Sequence, residues 1–216
     1  YSVTFTEGDS ATAITVASGT SLADVDSSYF DKVTVGFVVS AFADGASERL
    51  TINGASVDEV IGNLSEGVTG TFTLNSVVYD VSVAVASGIA TISFTGDSGA
   101  ELSTAEAEAL LDSRRYNNSS DNPTASSDRV IYIRATDGNG SNSNIATSTI
   151  TVVGVNDAPV NTVPSSQAVD EDTDLVFSSD NSNLISVADT EATSLQVTLS
   201  VDDGVLTLSS TSGLSF

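Results

Sequence analysis

The sequence predicts an all-β protein built as an antiparallel sandwich with one short helix. Two observations carry this prediction: apolar and polar residues alternate through most periodic segments, and those segments are rich in Val, Ile, Thr, Phe and Tyr. Clusters of turn residues separate them. Because hydrophobic residues make up 40% of the chain and the mean hydropathy is +0.14, we expect a buried core.

The alternating segments define the predicted strands of the first 155 residues. They cover residues 2–6, 12–16, 33–41, 49–52, 70–75, 77–86, 89–95, 129–136 and 145–155. Asn53-Gly54 and Asp203-Gly204 lie between or beside apolar runs, as two-residue hairpin turns do, because both residue types tolerate positive φ. Residues 116–127 are rich in Asn, Ser, Asp and Pro, which predicts an exposed loop.

One helix is predicted at about residues 103–113. Ser103 precedes Glu106 by three residues, which is the pattern of a capping box, and Ala, Glu and Leu follow. We expect Leu110 and Leu111 to cover one end of the sandwich.

Charge and missing residue types exclude several functions. The chain has 29 Asp and Glu against six Lys and Arg, a net charge of −23, so nucleic acid is a poor partner. The absence of Cys and His excludes conventional zinc sites, thiol nucleophiles and Ser-His-Asp triads. A carboxylate glycosidase usually has aromatic sugar platforms, but there is no Trp and only five Tyr. We therefore do not expect the chain to be an enzyme.

The same composition favours a bound cation. Like charges oppose compaction, and a cation that binds only the folded chain stabilises it; calcium is the obvious candidate. A secreted chain without disulfides needs another source of stiffness, which metal ions supply. The sequence has no initiator Met, signal peptide, lipidation signal or long apolar run, so we expect an internal piece that does not insert into a membrane.

An internal repeat divides the chain. Residues 21–26, Ser-Leu-Ala-Asp-Val-Asp, are echoed by residues 186–191, Ser-Val-Ala-Asp-Thr-Glu. An alternating strand follows each copy, at residues 33–35 and 195–199. A glutamate in an acidic patch precedes each copy at nearly the same distance, Glu7 in the first and Glu171 in the second. These are two openings of one domain type.

The boundary falls where an alternating strand ends and a proline follows, at Val155-Asn156-Asp157-Ala158-Pro159. Residues 1–155 are predicted to form one complete repeat, and residues 156–216 the linker and the opening part of a second, incomplete one. The second has either lost its closing strands or borrows partner strands from a neighbouring chain.

The run Thr-Ile-Thr-Val-Val-Gly-Val-Asn-Asp-Ala-Pro-Val at residues 149–160 resembles the junction of cadherin-like repeats in giant bacterial adhesins of the repeats-in-toxin (RTX) type. Residues 109–138 are similar to the closing half of such repeats, and residues 169–208 to the opening half. The resemblance implies a tandem array of Ig/cadherin-like sandwiches, secreted to the bacterial surface, with calcium at the joints. Such extender repeats serve cell adhesion or biofilm formation, with neighbouring repeats as partners and surface ligands bound through other domains.

Calcium binds six to eight oxygens from carboxylates, carbonyls and Asn side chains. By resemblance, the joint ligands are Asp137 of the first repeat, Asn156 and Asp157 of the linker, and Asp189, Glu191 and Glu171 of the second. The resemblance implies a matching half site at the N-terminal edge, formed by Glu7, Asp24 and Asp26.

Two alternatives remain open. The acidic groups could instead be solvated loops; Asp137-Gly138-Asn139-Gly140 in particular lacks the Gly and Glu positions of an EF-hand and is more typical of a hairpin loop. The chain could also be a ligand-recognition module of the same kind of adhesin, binding sugar or peptide through residues 116–127 or 62–70.

Overall fold

A computed structural model describes residues 1–15, 19–52, 67 and 69–215, with the backbone of residues 58–60. The protein is mostly β-sheet with one short α-helix. It divides into two compact units, Tyr1–Asp157 (unit 1) and Ala158–Phe216 (unit 2). Among the described residues no helix is long and apolar enough to cross a membrane.

Unit 1 contains twelve named strands in its described part. They are β1 (Ser2–Thr6), β2 (Thr12–Ala13), β3 (Tyr29–Val38), β4 (Glu48–Ile52), β5 (Asp58–Val60), β6 (Thr69–Leu74), β7 (Val77–Ala86), β8 (Ile89–Gly96), β9 (Leu102–Ser103), β10 (Arg114–Asn118), β11 (Arg129–Asp137) and β12 (Ala146–Val153).

These strands form two sheets. The larger has the order β1-β12-β11-β3-β8-β7-β6, with β9 also paired to β3, and the smaller has the order β2-β10-β4-β5. All pairs are antiparallel except β1 with β12, which are parallel. The predicted sandwich-like, all-β class is therefore found.

The core of unit 1 lies between the two sheets because alternate strand residues face inward. Phe5 of the larger sheet meets Tyr116 of the smaller one edge-to-face, with ring centroids 5.1 Å apart. Phe72 stacks on Tyr79 at 5.1 Å. Such pairs add to the burial of apolar area that drives the packing.

Helix α1 (Thr104–Asp112) confirms the predicted helix. The Glu106 amide donates to Ser103 Oγ (3.3 Å) and the Ser103 amide donates to Glu106 Oε2 (2.8 Å), which completes the capping box. Leu110 and Leu111 are each 1% exposed, as expected of a helix that covers the core.

One predicted loop begins too early. Residues 116–118 belong to β10, and Tyr116 is fully buried rather than exposed. Inward positions of β10 carry the polar residues Arg114 and Asn118, so the strand lacks the apolar alternation that marks the others. Residues 119–128 do form a loop without regular structure.

In the described residues of unit 2 there is one short antiparallel strand pair, β13 (Val160–Thr162) with β14 (Ser186–Ala188). The strand predicted at residues 195–199 is absent, and Asp203-Gly204 does not join two strands. Among the described residues of unit 2 no strand pairs with this segment, whereas β8 and β11 both pair with β3 in unit 1. Its apolar side chains are exposed, among them Leu195, Val197, Leu199, Val201 and Val205. The predicted Asn53-Gly54 turn lies outside the described residues.

Candidate metal-binding sites

Three predicted carboxylates meet at one end of the larger sheet of unit 1. Strand β11 runs antiparallel to β3 and its last residue, Asp137, pairs with Phe30 at the start of β3. The loop that precedes β3 carries Asp24 and Asp26, and the Asp26 amide donates to Asp24 Oδ1 (3.2 Å). We call this the Asp26 end.

The carboxylates at the Asp26 end perturb one another. A side-chain hydrogen bond with Asp24 raises the pKa of Asp26, and the charges of Asp24 and Asp137 raise it further. The same hydrogen bond, with the Asp26 amide, lowers the pKa of Asp24. This mutual repulsion is the kind that a bound cation relieves.

Sequence reasoning missed a fourth carboxylate here. The Glu101 side chain lies against Gly138, in the space that a β-carbon at Gly138 would fill. Glu101 follows a short 3₁₀ turn, and its chain position gives no sign that it is close to the β11–β12 loop. Only the pairing of β9 with β3 brings it to the same end as Asp137.

The loop after β11 is a hairpin loop, as expected. Asp137 Oδ1 accepts from the amides of Asn139 (2.9 Å) and Ser141 (2.7 Å), and the Gly140 amide donates to the Asp137 carbonyl (3.0 Å). Gly140 has φ +84°, a conformation that favours glycine. One oxygen of the Asp137 carboxylate therefore organises the loop itself.

The remaining unit 1 candidates lie together near the exit from β12. The Glu7 amide donates to the Val153 carbonyl (2.9 Å), and the Val155 amide donates to Glu7 Oε2 (2.8 Å). Asn156 follows directly, and its side-chain amide donates to the Asp157 carbonyl (2.7 Å). We call this the Glu7 end.

The structure corrects how these residues were grouped. Strand β12 has eight residues, which at 3.3 Å per residue puts about 25 Å between the Asp26 end and the Glu7 end. Glu7 is therefore not with Asp24 and Asp26, and Asp137 is not with Asn156 and Asp157. Sequence spacing could not reveal this, because it depends on β1 running parallel to β12 and on β11 running opposite to it.

In unit 2 the second acidic motif has the same local turn as the first. Asp189 Oδ1 accepts from the amides of Glu191 (3.0 Å) and Ala192 (2.7 Å), much as Asp24 Oδ1 accepts from the Asp26 amide. Glu171 is exposed at a turn. The sequence echo therefore extends to the way each motif folds.

A buried ionic network, which sequence reasoning missed, links the smaller sheet to β11. Glu48 Oε1 accepts from Arg129 Nε (2.5 Å) and from the Tyr116 hydroxyl (2.5 Å). All three side chains are 0% exposed. Burial, together with the Glu48 carboxylate, raises the pKa of Tyr116 well above its ordinary value.

Asp44 extends this network to the loop of residues 119–128. Its carboxylate accepts from the Thr124 hydroxyl (2.6 Å), the Thr124 amide (3.0 Å), the Asn118 side chain (2.6 Å) and Arg129 Nη2 (3.3 Å). Burial alone raises its pKa, but these donors and the charge of Arg129 outweigh burial and hold the pKa below its ordinary value.

Across the described part of the chain, no group of three or more Asp or Glu side chains is arranged to hold a metal ion as it stands. The chain was compared with protein-family models, with curated proteins and with solved structures, and it matches none of them.

Proposed function

We propose that the chain is a calcium-binding, Ig/cadherin-like extender repeat of a large secreted bacterial surface adhesin. The observation that carries the proposal is the collection of acidic and amide side chains at both ends of the unit 1 sheet: Asp24, Asp26 and Asp137 at one, and Glu7, Asn156 and Asp157 at the other. In a linear array, the ends of a repeat are where neighbours meet.

The mechanism is electrostatic. Without calcium the carboxylates at each end repel one another, as the opposed pKa shifts of Asp24 and Asp26 illustrate. Calcium, with six to eight oxygen ligands, draws these groups together and supplies positive charge to a chain of net charge −23. Stiffening of successive repeats for adhesion or biofilm formation is the proposed outcome.

Strand direction revises the ligand set of the proposed joint. Unit 1 would contribute Glu7, Asn156 and Asp157, because these share its Glu7 end. Unit 2 would contribute Asp189 and Glu191, the counterparts of Asp24 and Asp26. Asp137 then groups with Asp24 and Asp26 at the Asp26 end, and Glu171 is the counterpart of Glu7 in unit 2.

The exposed apolar residues of unit 2 support its assignment as a partial repeat. In unit 1 the strand after the acidic motif, β3, buries Val33, Val35 and Phe37 between neighbours β8 and β11. The corresponding Leu195 and Val197 of unit 2 are 38% and 57% exposed. Strands of the β8 and β11 type would complete this unit.

A matched pair of variants tests calcium binding in unit 2. Asp189→Ala should reduce the calcium-induced rise in melting temperature, since it removes a proposed ligand. Asp202→Ala, an exposed acidic residue of the same unit, should leave that rise unchanged. Melting followed by circular dichroism in EDTA and in millimolar calcium makes the comparison, and equal effects of the two substitutions would refute the ligand assignment.

A second candidate, glycan binding, has one observation in its favour. A shallow groove of about 420 Å³ lies on β6, β7 and β8, and its lining residues include Thr69, Thr71, Ser82, Ser93, Thr95 and Asp80. Hydroxyl and carboxylate groups suit sugar hydroxyls. Of the two recognition loops expected earlier, residues 62–70 lie mostly outside the described residues and Tyr116 is buried. Selective glycan-array binding that Asp80→Ala abolishes would favour this candidate over a stalk.

A further inference from the structure

Several hydrogen bonds fix the loop of residues 119–128 to the body of unit 1, and three of them hold it at Ser119, Thr124 and Ser127. The Ser119 amide donates to the Ser47 carbonyl (2.9 Å), Thr124 is held by Asp44, and the Ser127 carbonyl accepts from Arg129 Nη1 (2.6 Å). Two of these three points belong to the buried network. The loop has ten residues and contains no helix or strand, so hydrogen bonds such as these hold it in place.

On its other side, the same loop lies beside Gly154, close to Glu7. The Pro123 ring comes within 3.9 Å of the point where a β-carbon on Gly154 would lie, and Glu7 Oε2 lies 3.7 Å from that point. At the base of the loop, Asp128 Oδ1 accepts from the Thr151 hydroxyl (2.8 Å) of β12. The loop therefore connects the network to the segment that carries Glu7 and Asn156.

We infer that the network of Glu48, Arg129 and Asp44 is a positioning device for the Glu7 end, acting through the loop and Pro123. It sets where Glu7 and the segment from Gly154 to Asp157 lie before any cation binds. This inference deepens the proposed function, on which its consequence for calcium affinity rests; the positioning itself is a property of the chain alone.

The cost of the network argues for a role beyond stability. Taking a carboxylate and a guanidinium out of water is costly, and apolar residues of similar volume often stabilise a fold as well or better. Unit 1 nevertheless buries Glu48 and Arg129 completely. What the ionic network supplies, and apolar residues could not, is a set of directional bonds to the loop at Thr124 and Ser127.

The test uses the whole chain and the substitution Thr124→Val. It removes the 2.6 Å hydroxyl bond to Asp44 but keeps the side-chain volume and the amide bonds. Thr71→Val, on the exposed face of β6, is the matched control. Pro123→Ala, which removes the ring beside Gly154, provides a second route to the same effect without touching the network.

The first readout is amide hydrogen exchange by NMR in EDTA. Protection of the Glu7 and Val155 amides should fall by about 3- to 10-fold in both loop variants, the equivalent of one net hydrogen bond, and stay unchanged in the control. If the network is merely structural, the unfolding midpoint falls but those two amides keep their protection. That result would overturn the inference.

The second readout is calcium affinity by calorimetric titration. Thr124→Val and Pro123→Ala should weaken binding by a similar factor, while Thr71→Val leaves it unchanged; unchanged affinity in both loop variants would count against the inference. If the unsubstituted chain binds no calcium, the proposed function fails, and the exchange measurement alone then decides whether the network positions the Glu7 end.

Discussion

Replacing each of two buried arginines by an uncharged residue should change the stability of unit 1 by very different amounts. Arg129 is 0% exposed and binds Glu48 (2.5 Å) and Asp44 (3.3 Å). Arg114 is 3% exposed; its Nε donates to the Leu111 carbonyl (2.7 Å), but its Nη1 has no hydrogen-bond partner among the described residues. The perturbation is the substitution of each by Met, which has a flexible side chain that can fill part of the same space.

The expected magnitudes follow from what each substitution leaves behind. Arg129→Met leaves Glu48 buried without its cation, and breaking such a pair costs about 3–5 kcal/mol. Arg114→Met loses one hydrogen bond worth about 1 kcal/mol but removes a buried unpaired donor that costs about 1–3 kcal/mol. Burial lowers the pKa of Arg114 to about 10, despite the nearby charge of Asp112, which reflects how poorly its charge is solvated.

Urea unfolding of unit 1 at pH 7 in EDTA measures both changes. With no Trp in the chain, fluorescence reports the tyrosines, including buried Tyr79 and Tyr116. We expect Arg129→Met to shift the midpoint strongly downward, and Arg114→Met to leave the free energy of unfolding within about 1 kcal/mol of the unsubstituted chain or above it. Equal losses of unfolding free energy for the two variants would refute the reasoning. They would mean that burial alone, and not the hydrogen-bond and ion-pair partners of each arginine, determines the cost of replacing it.

Three further substitutions test packing, capping and titration. Gly96→Ala should destabilise unit 1 by about 1–3 kcal/mol in urea unfolding, because its β-carbon would lie 2.8 Å from a backbone carbonyl, whereas Gly36→Ala, with 3.5 Å to its nearest neighbour, should be much milder. Ser103→Ala should cost about 1 kcal/mol in the same assay, because it removes the N-cap of α1; a change near zero would mean that the capping box adds nothing. Burial, with the nearby charge of Glu106, raises the pKa of Tyr79 to about 12, so its contribution is complete below pH 10 and is lost as the pH rises from 10 towards 12. Over this pH range the melting temperature of Tyr79→Phe should fall less steeply than that of the unsubstituted chain. If the two melting temperatures fell in parallel with pH, the raised pKa of Tyr79 would be contradicted.

Much of the fold of unit 1 follows from local sequence. Strands such as β7 and β8 alternate apolar and polar residues so regularly that the period alone places them. Helix α1 is marked by Ser103 and Glu106. Strand β10 could not be predicted this way, because two of its three inward positions carry the polar residues Arg114 and Asn118, which donate hydrogen bonds to the Leu111 carbonyl and to the Asp44 carboxylate.

The candidate sites were only partly predictable, because they depend on contacts distant in sequence. Glu48 and Arg129 are 81 positions apart, and neither residue type suggests a buried partner by itself. The acidic motifs around Asp24 and Asp189 were visible as a repeat, but the end of the unit 1 sheet at which Asp24 lies depends on strand direction. The parallel pairing of β1 with β12 moves Glu7 away from Asp24, and no spacing in the sequence reports it.

Calorimetric titration of the whole chain with calcium tests the central claim most directly. The account predicts a saturable signal with a dissociation constant in the range of about 10⁻⁴–10⁻³ M, which is typical of extracellular calcium modules. It also predicts that Asp189→Ala weakens this signal. Heats indistinguishable from dilution at millimolar calcium would contradict the account.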